Sequence, residues 1–382
     1  MRTWRLFSGV ALVMAVVVGP AGASQSRSAV SNLTCATQVV STWTNTQLAN
    51  ETIAVPVAAT NVGGMGPAAR AGYGGLLLFG TTAPASMPAV LSTLQRERPG
   101  HYAWVVMTDE EGGGVERLTN IVGSFPWAQT MGTHLSAVQI TAIGLRVGKS
   151  LAAAGVNTDL APVLDVDGRA VEPGASNPDG LRSFSGVPSV AAADGAAFMK
   201  GLNEARVLSV VKHFPGLGYS TRNTDYGPAA TQSWATLQTT GLVPFKQAIA
   251  DGASAVMLSN AHTPGLSPLP ASISPAVVQV LRQTLDFQGL IVTDSLSAGA
   301  IGALHLAEPA ASVRALAAGA DLLLFGSPTS VSASLALAAK ISNALVAAVT
   351  TGTLARSVLI GAAAQVLAAR NTLTCPAATT TT

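Results

Sequence analysis

The side chains best able to do chemistry in this chain are charged groups that directly follow short apolar runs. "TDEEGGGVER" carries Asp109, Glu110, Glu111 and Arg117 after one run. "LDVDGR" carries Asp165 and Asp167 after the next, and "DGLRSF" adds Arg182. "VVKHFPGLGYSTRNTDYG" holds Lys212 and His213 where a third run ends, then Asp225 in a polar loop. Asn260 and His262 follow a fourth run, and Asp294 closes "GLIVTDS". A lone carboxylate such as Asp294 is costly behind an apolar run unless it is solvated or used. Two carboxylates on either side of an anomeric carbon can cleave a glycosidic bond, one as nucleophile and the other as proton donor. Asp294 and Asp225, from different loops, are the pair that could do this.

Plainer roles compete at several of these positions. Asp165 and Asp167 suit loop caps or arginine partners, since aspartate is a common turn former. Glu110 and Glu111 suit solvated or structural positions. His262 suits a half-buried structural group. His101, His134 and His305 fall in expected loops or helices and suggest no metal cluster. With no HExxH and no paired Cys/His spacing, no metal is expected. There is no GxSxG elbow either.

Eight short runs rich in Val, Ile and Leu precede or contain these groups. They span 52–58, 74–80, 102–109, 156–166, 207–214, 254–260, 289–295 and 321–327. Continuous apolar runs of this length read as parallel strands buried on both faces. Stretches at 136–154, 188–205, 233–250, 274–286 and 328–348 have apolar residues at helical spacing. Eight strands alternating with helices predict an α/β fold, a single-domain (β/α)8 TIM-type barrel, whose chemistry gathers at the C-terminal strand ends. An open doubly wound sheet is the rival, but the glycines of "GYGGLLLFG" precede their strand, the wrong side for a nucleotide fingerprint. Hydrophobic residues make up 48% of the chain and charged residues 10%, so charges gathered at strand ends stand out. A net charge of +2 without a basic run excludes a nucleic-acid partner.

Arg2 and Arg5, the apolar run from Leu6 to Val18 and the small residues Ala21 to Ala23 predict a secretory signal peptide over 1–23. The run is too short to span a bilayer, and no lipid-attachment cysteine sits at the cleavage point, so no stable membrane insertion is expected after cleavage. The expected location is exported: secreted, periplasmic or cell-wall associated. A Ser-rich N-terminal segment is expected over 24–35, loose as far as residue 34, then the barrel over 36–370 and a C-terminal tail over 371–382. An exported chain with two cysteines, Cys35 and Cys375, invites one disulfide between first and last elements.

"DEEGGGVERL", "LAPVLDVD", "RSF", "KHFPGLG" and "GLIVTDSLS" occur in the order found in family 3 glycoside hydrolases, and the chain most resembles the single-barrel β-N-acetylhexosaminidases of that family. The resemblance runs from about Ala36 to Ala368. It implies that Asp294 is the catalytic nucleophile. It also implies that Asp109, Arg117, Arg182 and the Lys212–His213 pair bind the sugar, whose hydroxyl and amide oxygens accept hydrogen bonds from both members of that pair. It implies a β-linked N-acetylglucosamine substrate, such as a cell-wall fragment, and no cofactor.

The loop after Lys212–His213 departs from the family. The hexosaminidases have "KHFPGHG" and then an Asp-x-His pair whose histidine is the general acid/base. Here Leu217 replaces the motif histidine. Aligned without gaps, Asn223 takes the aspartate position and Asp225 the histidine position; shifted by two, Asp225 and Gly227 take them. In both alignments the histidine is missing. A carboxylic acid in its place becomes an anion on giving up its proton, so it needs a pKa above the reference of about 3.9, raised by burial or by Asp294. An anionic acid/base also repels phosphate, which implies hydrolysis rather than phosphorolysis. The alternatives are a catalytically degenerate sugar-binding protein of the same fold and a hydrolase of another β-glycoside.

Overall fold

The computed structural model describes residues 32–326, 330–371 and 373. Seven strands pair in parallel in chain order: β1 Ala54–Ala58, β2 Gly75–Phe79, β3 Val105–Thr108, β4 Thr158–Asp159, β5 Leu208–Phe214, β6 Ala255–Leu258 and β7 Leu290–Thr293. The eighth expected strand is reduced to two bridges, Leu322 to Val292 and Leu323 to Ile53, both parallel. They join β7 to the residue before β1, so the sheet closes on itself. Leu323 N donates to Thr52 O at 2.8 Å and Thr293 N to Leu322 O at 3.0 Å across that seam. The (β/α)8 barrel read from the apolar runs is the observed architecture.

The strands are buried on both faces because their residues alternate between two cores. Leu77, Val105, Met107, Leu160, Leu208, Val210, Met257, Leu290, Val292 and Leu322 cluster inside the barrel. Leu76, Leu78, Val106, Val211, Val256, Leu258 and Ile291 belong to the larger cluster under the helices. Period-two alternation with apolar residues on both sides is what a parallel barrel requires. Val366, from the helix Arg356–Arg370, joins the inner cluster and caps its lower end.

The surrounding helices begin where local chemistry lets them. Ser136 and Gln139 form a reciprocal capping box for Ala137–Ala153. Pro188 opens Pro188–Glu204 at a position where its missing N–H costs nothing. The helix expected over 233–250 is instead split into Trp234–Leu237 and Leu242–Ala250. The Thr239 and Thr240 hydroxyls both donate back to Thr236 O, at 3.1 and 2.9 Å, competing with the helical ladder just before Gly241. The 274–286 stretch is α-helical only over Pro275–Gln279 and continues as a π turn, Val280–Thr284.

One expectation at the N-terminus is corrected. Residues up to 34 were expected to be loose, yet 32–41 is helical. The Asn32 amide donates to Ala368 O and Asn371 O at 2.9 Å each, and its oxygen accepts from Leu373 N at 2.8 Å, so the two chain ends hold one another. Cys35 is buried in this helix. The signal peptide, Cys375 and hence its expected pairing with Cys35 lie outside the described residues, as does the tail after 373.

Leu322 is fully buried inside the barrel at the seam. Leu322→Ala is expected to lower unfolding free energy by about 2–5 kcal/mol, the range for a leucine truncated in a core that relaxes only partly. Guanidinium denaturation checks this; an unchanged midpoint would mean that the seam carries no stability.

Candidate active site

The seven residues assigned catalytic or sugar-binding roles from the sequence all line one cleft of about 420 Å³ at the C-terminal strand ends: Asp109, Arg117, Arg182, Lys212, His213, Asp225 and Asp294. Its floor is built from charge. Lys212, buried at the end of β5, donates to Asp109 Oδ1 at 2.7 Å and lies 2.5 Å from Glu111 Oε1. Arg182 grips the same glutamate with two nitrogens, Nε to Oε2 at 2.7 Å and Nη2 to Oε1 at 2.9 Å. Burial opposes the charge on Glu111, but Arg182 and Lys212 outweigh it and hold its carboxyl well below the usual range. Burial likewise opposes the charge on Lys212, and Asp109 and Glu111 restore it, raising its pKa.

Glu111 was expected to be solvated or structural; it is the buried carboxylate that joins the two cations Arg182 and Lys212. Its neighbour Glu110 makes that possible. Glu110 accepts the backbone N–H groups of Arg117 and Leu118 at 2.9 and 2.6 Å, folding the hairpin of Glu110–Gly112 and Val115–Glu116. Burial pushes Glu110 up to about 7. The same hairpin brings Arg117 to the cleft, where its Nε is buried with no protein acceptor.

His213 is held from behind. Its Nδ1 lies 2.7 Å from Asp165 Oδ2, and Asp165 also accepts the N–H groups of His213 and Leu217. Burial first, then the positive Arg182 and Lys212, lower the His213 pKa to about 4, so the imidazole is neutral at neutral pH. Nδ1 therefore donates to Asp165 and Nε2, 3.5 Å from Arg182 Nη2, is the acceptor side. Asp179 is fully buried beside Asp165, and burial followed by the Asp165 charge raises its pKa well above the carboxylate range.

Among the described residues, Asp165, Asp179 and His213 form a group whose ligand atoms lie within 4.8 Å of one another, a spacing that suits a metal ion. The His213 Nδ1 and both Asp165 oxygens are already hydrogen-bonded, and Arg182 adds positive charge to all three. Those bonds and that positive charge count against a cation there.

Asp167 is an arginine partner, one of the plainer roles considered for it. It binds Arg169 with both oxygens and accepts from Tyr219 N at 3.2 Å, while Arg169 lies 5.1 Å over the Tyr219 ring. These contacts clamp the loop after β5 to the loop after β4. Gly218 permits the approach, because a Cβ there would lie 2.1 Å from Val166 O. Further along, Asn223 N donates to Ala175 O at 2.9 Å, and the Asn223 side chain caps the turn Thr224–Tyr226 by accepting from Asp225 N.

That turn rests on the loop that carries Asp294. A Cβ on Gly299 would lie 2.7 Å from Asp225 O, 2.8 Å from Gly227 N and 3.0 Å from Tyr226 C, all backbone atoms. Gly299 thus sets how closely the Asp225 turn approaches, a role with no local signal in the sequence. Asp294 is half-buried after β7, with Ser295 N donating to its Oδ1 at 2.6 Å. Loss of solvent raises its pKa, the Asp225 charge raises it further, and the positive side of the site opposes both. Asn260 steadies the loop by donating to Ser295 O at 2.7 Å. His262 sits in the His262–Thr263 hairpin and does not line the cleft.

Glu111→Ala would leave Arg182 without its carboxylate and Lys212 with half its compensation in a buried setting. The expected cost is about 3–5 kcal/mol in unfolding free energy, the range for breaking a buried pair from one side. Urea denaturation measures it, and a loss below 1 kcal/mol would mean that Asp109 alone suffices.

The Glycosyl hydrolase family 3 N terminal domain model matches residues 37–369. "Beta-hexosaminidase LpqI" of Mycobacterium tuberculosis is 32% identical over 237 residues, 59% of this chain and 59% of that protein. An "Uncharacterized secreted glycosyl hydrolase" of Arthroderma benhamiae is 32% identical over 262 residues, 66% of this chain and 72% of that protein. The crystal structure of "Beta-N-acetylhexosaminidase from Beutenbergia cavernae" superposes with a TM-score of 0.75 at 30% identity, covering 86% of this chain and 98% of that one. The matched segment thus spans about three fifths of LpqI's length. With a family match over nearly all of the barrel, this chain belongs to glycosyl hydrolase family 3.

Proposed function

We propose that the chain is an exported, retaining glycoside hydrolase that removes terminal β-linked N-acetylglucosamine. The observation that carries this reading is the shared cleft: five hydrogen-bonding side chains and two carboxylates, Asp294 and Asp225, line it together. The names of the relatives support the substrate class. The signal-like pattern over 1–23 and the relative named as secreted support export.

In this reading Lys212, His213, Arg182, Arg117 and Asp109 hold the sugar by its hydroxyl and amide groups. Asp294 attacks the anomeric carbon, forming a glycosyl ester as the bond to the leaving oxygen breaks. Asp225 gives its proton to that oxygen. Water then attacks the anomeric carbon, Asp225 takes its proton, and the bond from that carbon to Asp294 breaks, releasing the carboxylate. Asp225 is exposed on its turn, a position open to a leaving group and to water.

Release of a chromogenic phenol from its β-N-acetylglucosaminide tests the reading. Asp294→Ala is expected to abolish turnover. Asp225→Asn is expected to slow an activated phenol little and a poor leaving group by at least a hundredfold, since acid help of 10²–10⁴ is then missing. Added phosphate is expected to leave the rate unchanged. Sugar binding without turnover in the unaltered protein would select the degenerate binding protein, the alternative that the missing Asp-x-His pair raises.

The Asp225 charge raises the Asp294 pKa. Neutral asparagine removes that repulsion, so ionised Asp294 persists to lower pH. The acidic limb of the rate profile with an activated phenol is expected to move down in Asp225→Asn; an unmoved limb would uncouple the two carboxylates. Gly299→Ala is expected to push the turn outward, lowering kcat for poor leaving groups about tenfold more than for activated phenols. Equal losses for both would mean that Gly299 does not act through Asp225.

A further inference from the structure

Tyr226 is 62% exposed, although tyrosine is a large side chain with an apolar face. Among the described residues it is the exposed large hydrophobic that also lines the cleft. The other exposed aromatic, Tyr219, is covered by Arg169 at 5.1 Å and sits outside the cleft lining. Tyr226 directly follows Asp225 in the short turn Thr224–Tyr226. The turn cannot sink, because Gly299 lies against its backbone from below, and Tyr226 N is tied to Asn223 O at 3.2 Å.

Chemistry then decides which part of a substrate meets this ring. A general acid protonates the leaving-group oxygen, so the leaving group must lie on the acid's side of the broken bond. In the hydrolase reading Lys212, Arg182 and His213 hold the sugar, which leaves the Asp225 turn to face the leaving group. We propose that Tyr226 is the platform of a leaving-group subsite, which takes a second pyranose by its C–H face. This rests on the hydrolase reading above. A ring stacked on an aromatic face removes apolar area from water on both partners. The subsite therefore selects leaving groups with a flat apolar face, such as a second sugar, over small alcohols.

Two probes separate stacking from acid catalysis: N,N′-diacetylchitobiose and trifluoroethyl β-N-acetylglucosaminide, whose leaving alcohol has an acidity near that of a sugar hydroxyl but no face to stack. Tyr226→Ala is expected to lower kcat/KM for the disaccharide roughly five- to tenfold more than for the trifluoroethyl glycoside, the worth of one aromatic contact. Tyr226→Phe is expected to retain the disaccharide rate. An equal loss on both probes, or no loss on the disaccharide, would overturn the proposal. The same split is read in binding with the Asp294→Asn protein as background. There Tyr226→Ala is expected to weaken the disaccharide and spare free N-acetylglucosamine; equal weakening of both, or of neither, overturns it. If the unaltered protein turns over neither glycoside, the hydrolase reading fails, and the binding split alone decides whether Tyr226 holds a second sugar.

Discussion

The site depends on one carboxylate shared between two buried cations. Glu111 accepts from Arg182 and faces Lys212, and each of the three would be costly to keep charged alone. Together they remain ionised in a cleft floor mostly removed from water. The array fixes the directions of the Arg182 and Lys212 donors in advance of any ligand, so little of their side-chain freedom is left to lose. Asp109 completes it from the end of β3, where the strand delivers its carboxylate to the Lys212 ammonium.

Behind this array lies a second, fully buried layer of titratable groups. Burial, and then the neighbouring Asp165 charge, raise the Asp179 pKa. Asp165 spends its own acceptors on His213 and the Leu217 backbone. The result is a neutral imidazole with a defined tautomer next to two cations. Asp165 was weighed as a loop cap or an arginine partner; it is a backbone cap, and it also orients a histidine. Both tasks follow from a carboxylate that sits where two loops converge.

The loop after β5 shows how a family motif can change while its scaffold persists. Leu217 stands in an apolar cluster with Ala229 and Ala261, where the motif histidine would be out of place. Asp225 is instead carried on a capped turn, clamped through Asp167, Arg169 and Tyr219 on one side and seated on Gly299 on the other. Its charge is felt at Asp294 although the two lie in loops after different strands.

The sequence by itself determined the barrel, because burial of a parallel strand on both faces writes an unbroken apolar run that can be counted. It determined which strand ends are charged, because in a chain so poor in charge each such group marks a position that solvent or a ligand must satisfy. Eight of those residues, Glu111 among them, line one cleft. Only the tertiary structure decided how they divide the work. The Glu111 bridge joins residues 71 positions apart, the Asp165–His213 contact joins residues 48 apart, and Gly299 acts solely by lacking an atom where another loop passes. Local patterns report which face of an element is apolar. They do not report which distant backbone will press against it, and a buried charge takes its role from whichever partner the fold supplies.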